Sequence, residues 1–243
     1  MKIPVFTVLF AAEIFALRHY IKIMYPKIGW NTLTSKALCS LIFVVTAITA
    51  QAFSDGGIMM NTMLAAFICS FFGDVFLHVY PKLGSEIVNY ALGGVSFLSG
   101  HILYIISFAN AEKGFDLPEN ILAIQLATAA VLCVAVNILM RVFGLKLGKV
   151  FTVPVIIYSF ALMIMVVKAV TLGIMFFASG EGIIPAFIIS VGAVSFAASD
   201  IVLASDFFTG GKDLKKKVAN MVLYYSGQML LATSLLWIIL IEI

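Results

Sequence analysis

Phe72-Gly73-Asp74-Val75-Phe76-Leu77 stands near the end of an otherwise apolar run over residues 58–79. Ala198-Ser199-Asp200-Ile201-Val202-Leu203 stands in the same way within a run over 183–206. Runs of this length cross a bilayer, since about 20 apolar residues at about 1.5 Å each cover its hydrocarbon core. Each phrase therefore puts one carboxyl inside the membrane. A charge there costs roughly 2.5–3.5 kcal/mol even on the lenient insertion scale, so it marks a functional site by default.

The rest of the chain agrees with a membrane reading. Of its 243 residues 63% are hydrophobic and only 11% charged, with a mean hydropathy of +1.13; a soluble domain carries about 25% charged residues. Further spans fall at about 3–23, 34–53, 88–109, 119–141, 150–171 and 218–240, making eight, with seven as the competing count. The expected fold is an all-α polytopic bundle forming a single integral membrane domain over 1–243. The net charge of +3 gives no sign of a nucleic-acid partner. Cys39, Cys69 and Cys133 stand singly in apolar runs without metal-ligand spacing, so neither a metal nor a cofactor is expected. Met1-Lys2 and the apolar stretch to Ala12 superficially resemble a signal peptide, but Glu13 interrupts it and a retained first helix is expected.

Basic residues set the orientation. Arg18, Lys22, Lys27, Lys36, Lys82, Arg141, Lys146, Lys149, Lys212, Lys215, Lys216 and Lys217 fall to the odd-numbered loops, leaving Lys2, Lys113 and Lys168 for the other side. Odd loops are then cytoplasmic and both termini face outward. Asp74 and Asp200 come to lie five or six residues before the cytoplasmic ends of helices three and seven, roughly 7–9 Å below that boundary.

The two aspartates are 126 residues apart, and Ser99-Gly100-His101-Ile102-Leu103 matches Ser226-Gly227-Gln228-Met229-Leu230 at an offset of 127. Residues 1–110 and 111–243 read as two parallel four-helix repeats, whose interface is a common place for a site. Gly93, Phe97, Gly100, His101 and Tyr104 share one helical face, as do Asn220, Tyr224, Gly227, Gln228 and Leu231. Glycines there permit close helix approach, and the polar residues describe a cavity open to the cytoplasmic leaflet, with the acids at its mouth. His78, four residues after Asp74, shares its face near the interface. Glu13 is equally a partner for a nearby lysine or a site residue. Two carboxyls in a low dielectric do not both ionise readily, so the pair can supply a general acid and a general base. Hydrolysis through an oxocarbenium-like state uses that arrangement, and no GxSxG or HExxH competes with it.

Gly73-Asp74-Val75-Phe76-Leu77, Gly100-His101-Ile102-Leu103-Tyr104, Ser199-Asp200 and Tyr224-Tyr225-Ser226-Gly227-Gln228-Met229-Leu230 resemble, in order over roughly 60–235, the YhhN family. That family is similar to the mammalian lysoplasmalogenases, the transmembrane protein 86 proteins. The resemblance implies cleavage of the vinyl ether bond of lysoplasmalogens to a fatty aldehyde and a glycerophospho-ethanolamine or -choline. It carries Asp74 and Asp200 over as the catalytic pair, with His101, Gln228, Tyr104, Tyr224 and His78 as substrate-binding candidates and a lysophospholipid as the partner. A bacterial inner membrane is the expected location. Two other classes remain open. Buried acids in repeats also suit a proton-coupled transporter of a small molecule or lipid; Asp74, His78, His101 and Asp200 could serve a metal-dependent lipid hydrolase.

Overall fold

Inside a bilayer every backbone N–H and C=O must find a partner within the chain, which turns each apolar run into a helix. A computed structural model describes residues 2–24, 29–53, 58–79, 86–142, 148–180, 182–210 and 213–238. Among them lie eight helices: α1 (Lys2–Ile23), α2 (Trp30–Ala52), α3 (Ile58–Val79), α4 (Glu86–Glu112), α5 (Ile121–Val142), α6 (Lys149–Ala178), α7 (Ile183–Phe208) and α8 (Leu214–Ile238). The protein is all-α, and α1 to α7 are long and apolar enough to cross a membrane. α8 is as long but carries Asn220, Tyr224, Tyr225, Ser226, Gln228, Thr233 and Ser234. It is buried on most of its surface among its neighbours, so it need not match lipid.

α6 is the largest departure from the spans read in the sequence. It continues seven residues past the expected end at 171, because neither Lys168 nor Gly173 interrupts it. Lys168 Nζ is buried and donates to Glu112 Oε2 at 2.6 Å and to Gln125 Oε1 at 2.9 Å. Gly173 lies where a Cβ would come within 2.8 Å of the Ala186 carbonyl oxygen on α7. Lys36, expected in the first loop, lies inside α2 at 3% exposure. Lys27, Lys82, Lys146 and Lys212 fall outside the described residues.

α1 packs on α2, α2 on α3 and α3 on α4; α5 packs on α6, α6 on α7 and α7 on α8. Across the chain α2 lies against α8 and α4 against α6. The α3–α4 and α7–α8 hairpins are joined the same way. A Cβ on Gly100 would sit 3.2 Å from the Ala66 carbonyl oxygen, and one on Gly227 would sit 2.9 Å from that of Gly192. Small residues let these backbones meet, which is how helices gain contact where lipid removes the hydrophobic drive between them. α1 is peripheral, and in its described residues only Phe6, Glu13 and Tyr20, seven apart, are buried.

Candidate active site

Asp74 projects from α3 into the seam with α2 and is 2% exposed. Its Oδ1 lies 3.0 Å from Lys36 Nζ, and its Oδ2 accepts a hydrogen bond from Ser40 Oγ at 2.6 Å. The spacing follows from the helices: Lys36 and Ser40 are one turn apart on α2 and both reach the same carboxyl. His78, one turn after Asp74, has Nδ1 3.3 Å from Lys36 Nζ and Nε2 2.6 Å from the Tyr20 hydroxyl. Tyr225 reaches in from α8, its hydroxyl 3.3 Å from Ser40 Oγ. Four helices thus close one network around one ion pair.

Asp200 has different company. Its Oδ2 accepts a 2.6 Å hydrogen bond from the Tyr158 hydroxyl on α6 and lies 3.2 Å from His101 Nε2 on α4. His101 Nε2 and the Tyr158 hydroxyl are 3.0 Å apart, which completes a triangle. The neighbouring backbone is fixed by Asn220 of α8, whose Nδ2 donates to the Ser199 carbonyl oxygen at 2.7 Å. No lysine or arginine pairs with this carboxyl among the described residues.

Between the two networks stands a core of rings and polar groups. The Phe196 ring lies 5.0 Å from that of His101 and 5.4 Å from that of Tyr224, while Phe97 meets Tyr224 edge-on at 5.9 Å. The Tyr104 hydroxyl donates to Gln228 Oε1 at 2.9 Å. Four buried polar atoms here make no hydrogen bond of good geometry: Ser70 Oγ, His101 Nδ1, the Tyr224 hydroxyl and Gln228 Nε2. Three of these side chains still have a polar neighbour: Ser70 lies beside Tyr104, and the Tyr224 hydroxyl lies beside Asp74 and Gln228. Burying a polar atom without a well-made bond costs up to about 1–3 kcal/mol, so this core can accept polar atoms from a bound molecule.

His101 is therefore joined to Asp200, Tyr104 to Gln228, and His78 to Lys36 and Tyr20. No direct hydrogen bond joins Asp74 to Asp200 among the described residues. An open cleft of about 630 Å³ occurs elsewhere, at the α1–α2 turn, lined by His19, Ile23, Gly29, Trp30, Asn31, Thr32, Thr34 and Ser35. It includes neither aspartate. Among the described residues no three His, Cys, Asp or Glu side chains converge as a metal site would need.

These positions decide the family, because its model matches residues 30–235, from the first residue of α2 to the last turn of α8. The chain belongs to the YhhN family. That is the family of the lysoplasmalogenases. No curated protein and no solved structure matches the chain. The YhhN match includes both aspartates and all of their hydrogen-bonding partners named above. It leaves out α1, and with it Glu13 and Tyr20.

Several participants escaped the sequence reading, among them Lys36, Tyr158, Ser40, Tyr20, Ser70 and Phe196. Lys36 sits at the edge of a span among other basic residues, which gave it the look of a loop lysine. Tyr158 and Ser40 are ordinary residues of apolar helices, and nothing local marks them.

Proposed function

We propose that this protein hydrolyses the vinyl ether bond of lysoplasmalogens, with Asp74 and Asp200 as its acid–base pair. Family membership supports the reaction class. The observation that carries the residue assignment is the pair of buried carboxyls, differently partnered, on either side of a core with four polar atoms that make no hydrogen bond of good geometry. A general acid protonates the outer vinyl carbon, leaving an oxocarbenium ion on the carbon bonded to the ether oxygen. Water adds to that carbon and gives its proton to the second group. The hemiacetal collapses to a fatty aldehyde and a glycerophospho-ethanolamine or -choline. The remaining negative carboxylate stabilises the cation, as in glycoside hydrolysis.

His101, Tyr224 and Gln228 hold the water and the ether oxygen, Tyr104 orients Gln228, and His78 holds Lys36 towards Asp74. Lys215 and Lys216, exposed and half-buried at the start of α8, face the headgroup phosphate. The chain resides in a bacterial inner membrane with this end on the cytoplasmic side. Impermeant thiol labelling checks the orientation: Lys113→Cys reacts in intact cells and Lys216→Cys only after lysis, and the reverse pattern inverts it.

Purified protein is to be incubated with 1-alkenyl-lysophosphatidylethanolamine in D₂O, with EDTA present. Wild type releases aldehyde carrying one deuterium on the carbon next to the carbonyl, and Asp74→Asn and Asp200→Asn release none above background. A folded wild type that yields no aldehyde, or aldehyde without that deuterium, sinks the reading.

A further inference from the structure

Glu13 has no structural role that explains it. It is 4% exposed on α1, between Phe6 and Tyr20 in the line that α1 turns towards its neighbours. Both of its carboxyl oxygens lack a hydrogen-bond partner. The lysine partner that the sequence allowed is absent among the described residues. Glu13 shares its buried face of α1 with Tyr20, whose hydroxyl meets His78 Nε2 at 2.6 Å and so joins the network around Asp74. Lys36 is already committed to Asp74 and His78, and Tyr20 to His78. A leucine would seal this seam more favourably, because an unpaired buried polar group is a net loss.

A carboxyl in apolar surroundings with no cation beside it sheds its charge by keeping a proton. Asp74 is the opposite case, a carboxylate held against an ammonium. Two acids in one neighbourhood, one neutral and one ionised, form the usual arrangement for moving a proton. We propose that Glu13 is a third acid of the site, a proton-carrying carboxyl that exchanges its proton with Asp74 through water held in the seam of α1 and α2. In the reaction, which rests on the lysoplasmalogenase reading, the proton that Asp74 gains from the attacking water leaves along this path. It moves on to the seam water as Glu13 passes its own proton outward, and the acid that protonated carbon regains a proton from bulk water, so every carboxyl ends the turnover as it began. Glu13 is thus a positioning and relay residue that acts through Asp74.

Infrared spectroscopy of the substrate-free protein in lipid tests this without any assumption about the substrate. The carbonyl stretch of a protonated carboxyl shifts when the protein is grown on carboxyl-¹³C glutamate, and is lost in Glu13→Gln. In D₂O the band moves promptly in wild type and more slowly in Asp74→Asn. Absence of a protonated glutamate band in labelled wild type overturns the proposal, and so does an exchange rate that Asp74→Asn leaves unchanged. In aldehyde release, Glu13→Gln lowers kcat roughly a hundredfold with KM unchanged, and Glu13→Asp recovers part of it. Glu13→Leu, folded and at least as stable as wild type, is equally slow. A fully active Glu13→Leu also overturns the proposal. Wild type without aldehyde release defeats the lysoplasmalogenase reading alone, and the infrared result still decides Glu13.

Discussion

At the scale of single residues, Lys36 and Asp74 depend on each other. The ammonium and carboxylate lie 3.0 Å apart, with side chains 4% and 3% exposed. Removing one partner of a buried pair leaves the other charge uncompensated and costs about 3–5 kcal/mol, whereas replacing both with neutral groups of similar size is often nearly neutral. Lys36→Met is therefore expected to lower stability by about 3 kcal/mol. The double variant Lys36→Met with Asp74→Asn regains most of that loss in thermal unfolding, and neither variant turns over substrate. Strictly additive losses would show that the two side chains do not act as a pair. Asp74 and Asp200 were legible in the sequence because a carboxylate inside an apolar run is rare and has to be explained. Lys36 was not, because a lysine at the edge of a span can reach water by its own length. Its burial depends on Asp74, 38 residues away in the chain.

At the scale of helices, the hairpins are set by glycine contacts that the sequence marks only as small residues on a polar face. A Cβ on Gly227 would lie 2.8 Å from the backbone nitrogen of Phe196 and 2.9 Å from the Gly192 carbonyl oxygen. These are backbone atoms and cannot swing aside. Gly227→Ala must separate α7 from α8, next to the residue pair that carries Gln228 and Phe196 into the site. Its expected cost is about 1–3 kcal/mol, with slower turnover. Gly94, within α4, has nothing within 4 Å of its Cβ position. Gly94→Ala should stabilise by about 0.5–1 kcal/mol through helix propensity alone. Thermal unfolding of the two variants checks the contrast, and equal effects would remove the packing argument. Helix number and order were readable because each run is long enough to span and is bounded by polar or charged residues. The end of α6 was not, since a lysine and a glycine usually signal a boundary. Here each is absorbed by a partner on another helix, Lys168 by Glu112 and Gly173 by α7.

At the scale of the molecule, charged groups gather at both ends of the bundle, and the two gatherings differ in kind. Asp74 lies five residues from the end of α3, about 7 Å along its axis, whereas Glu112 is the last residue of the antiparallel α4. Glu112, Lys168 and Gln125 therefore form the far end. There every partner is satisfied: Lys168 Nζ donates to Glu112 and Gln125, and Gln125 Nε2 donates to Glu112 Oε1 at 2.5 Å. The near end and the core instead keep polar atoms without a well-made hydrogen bond on Glu13, Ser70, Asn89, His101, Tyr224 and Gln228. A two-sided transport path needs working groups towards both faces; a one-sided hydrolase needs a clasp at the far end that stays shut. The fully paired cluster fits a clasp joining α4, α5 and α6. Lys168→Met should lower stability by about 3–5 kcal/mol, because Glu112 is left as a lone buried charge. Lys168→Met combined with Glu112→Gln should recover most of it, with kcat and KM for aldehyde release as in wild type. If stability returns and turnover does not, the far end belongs to the working path, and the bundle operates across the membrane instead of from one side.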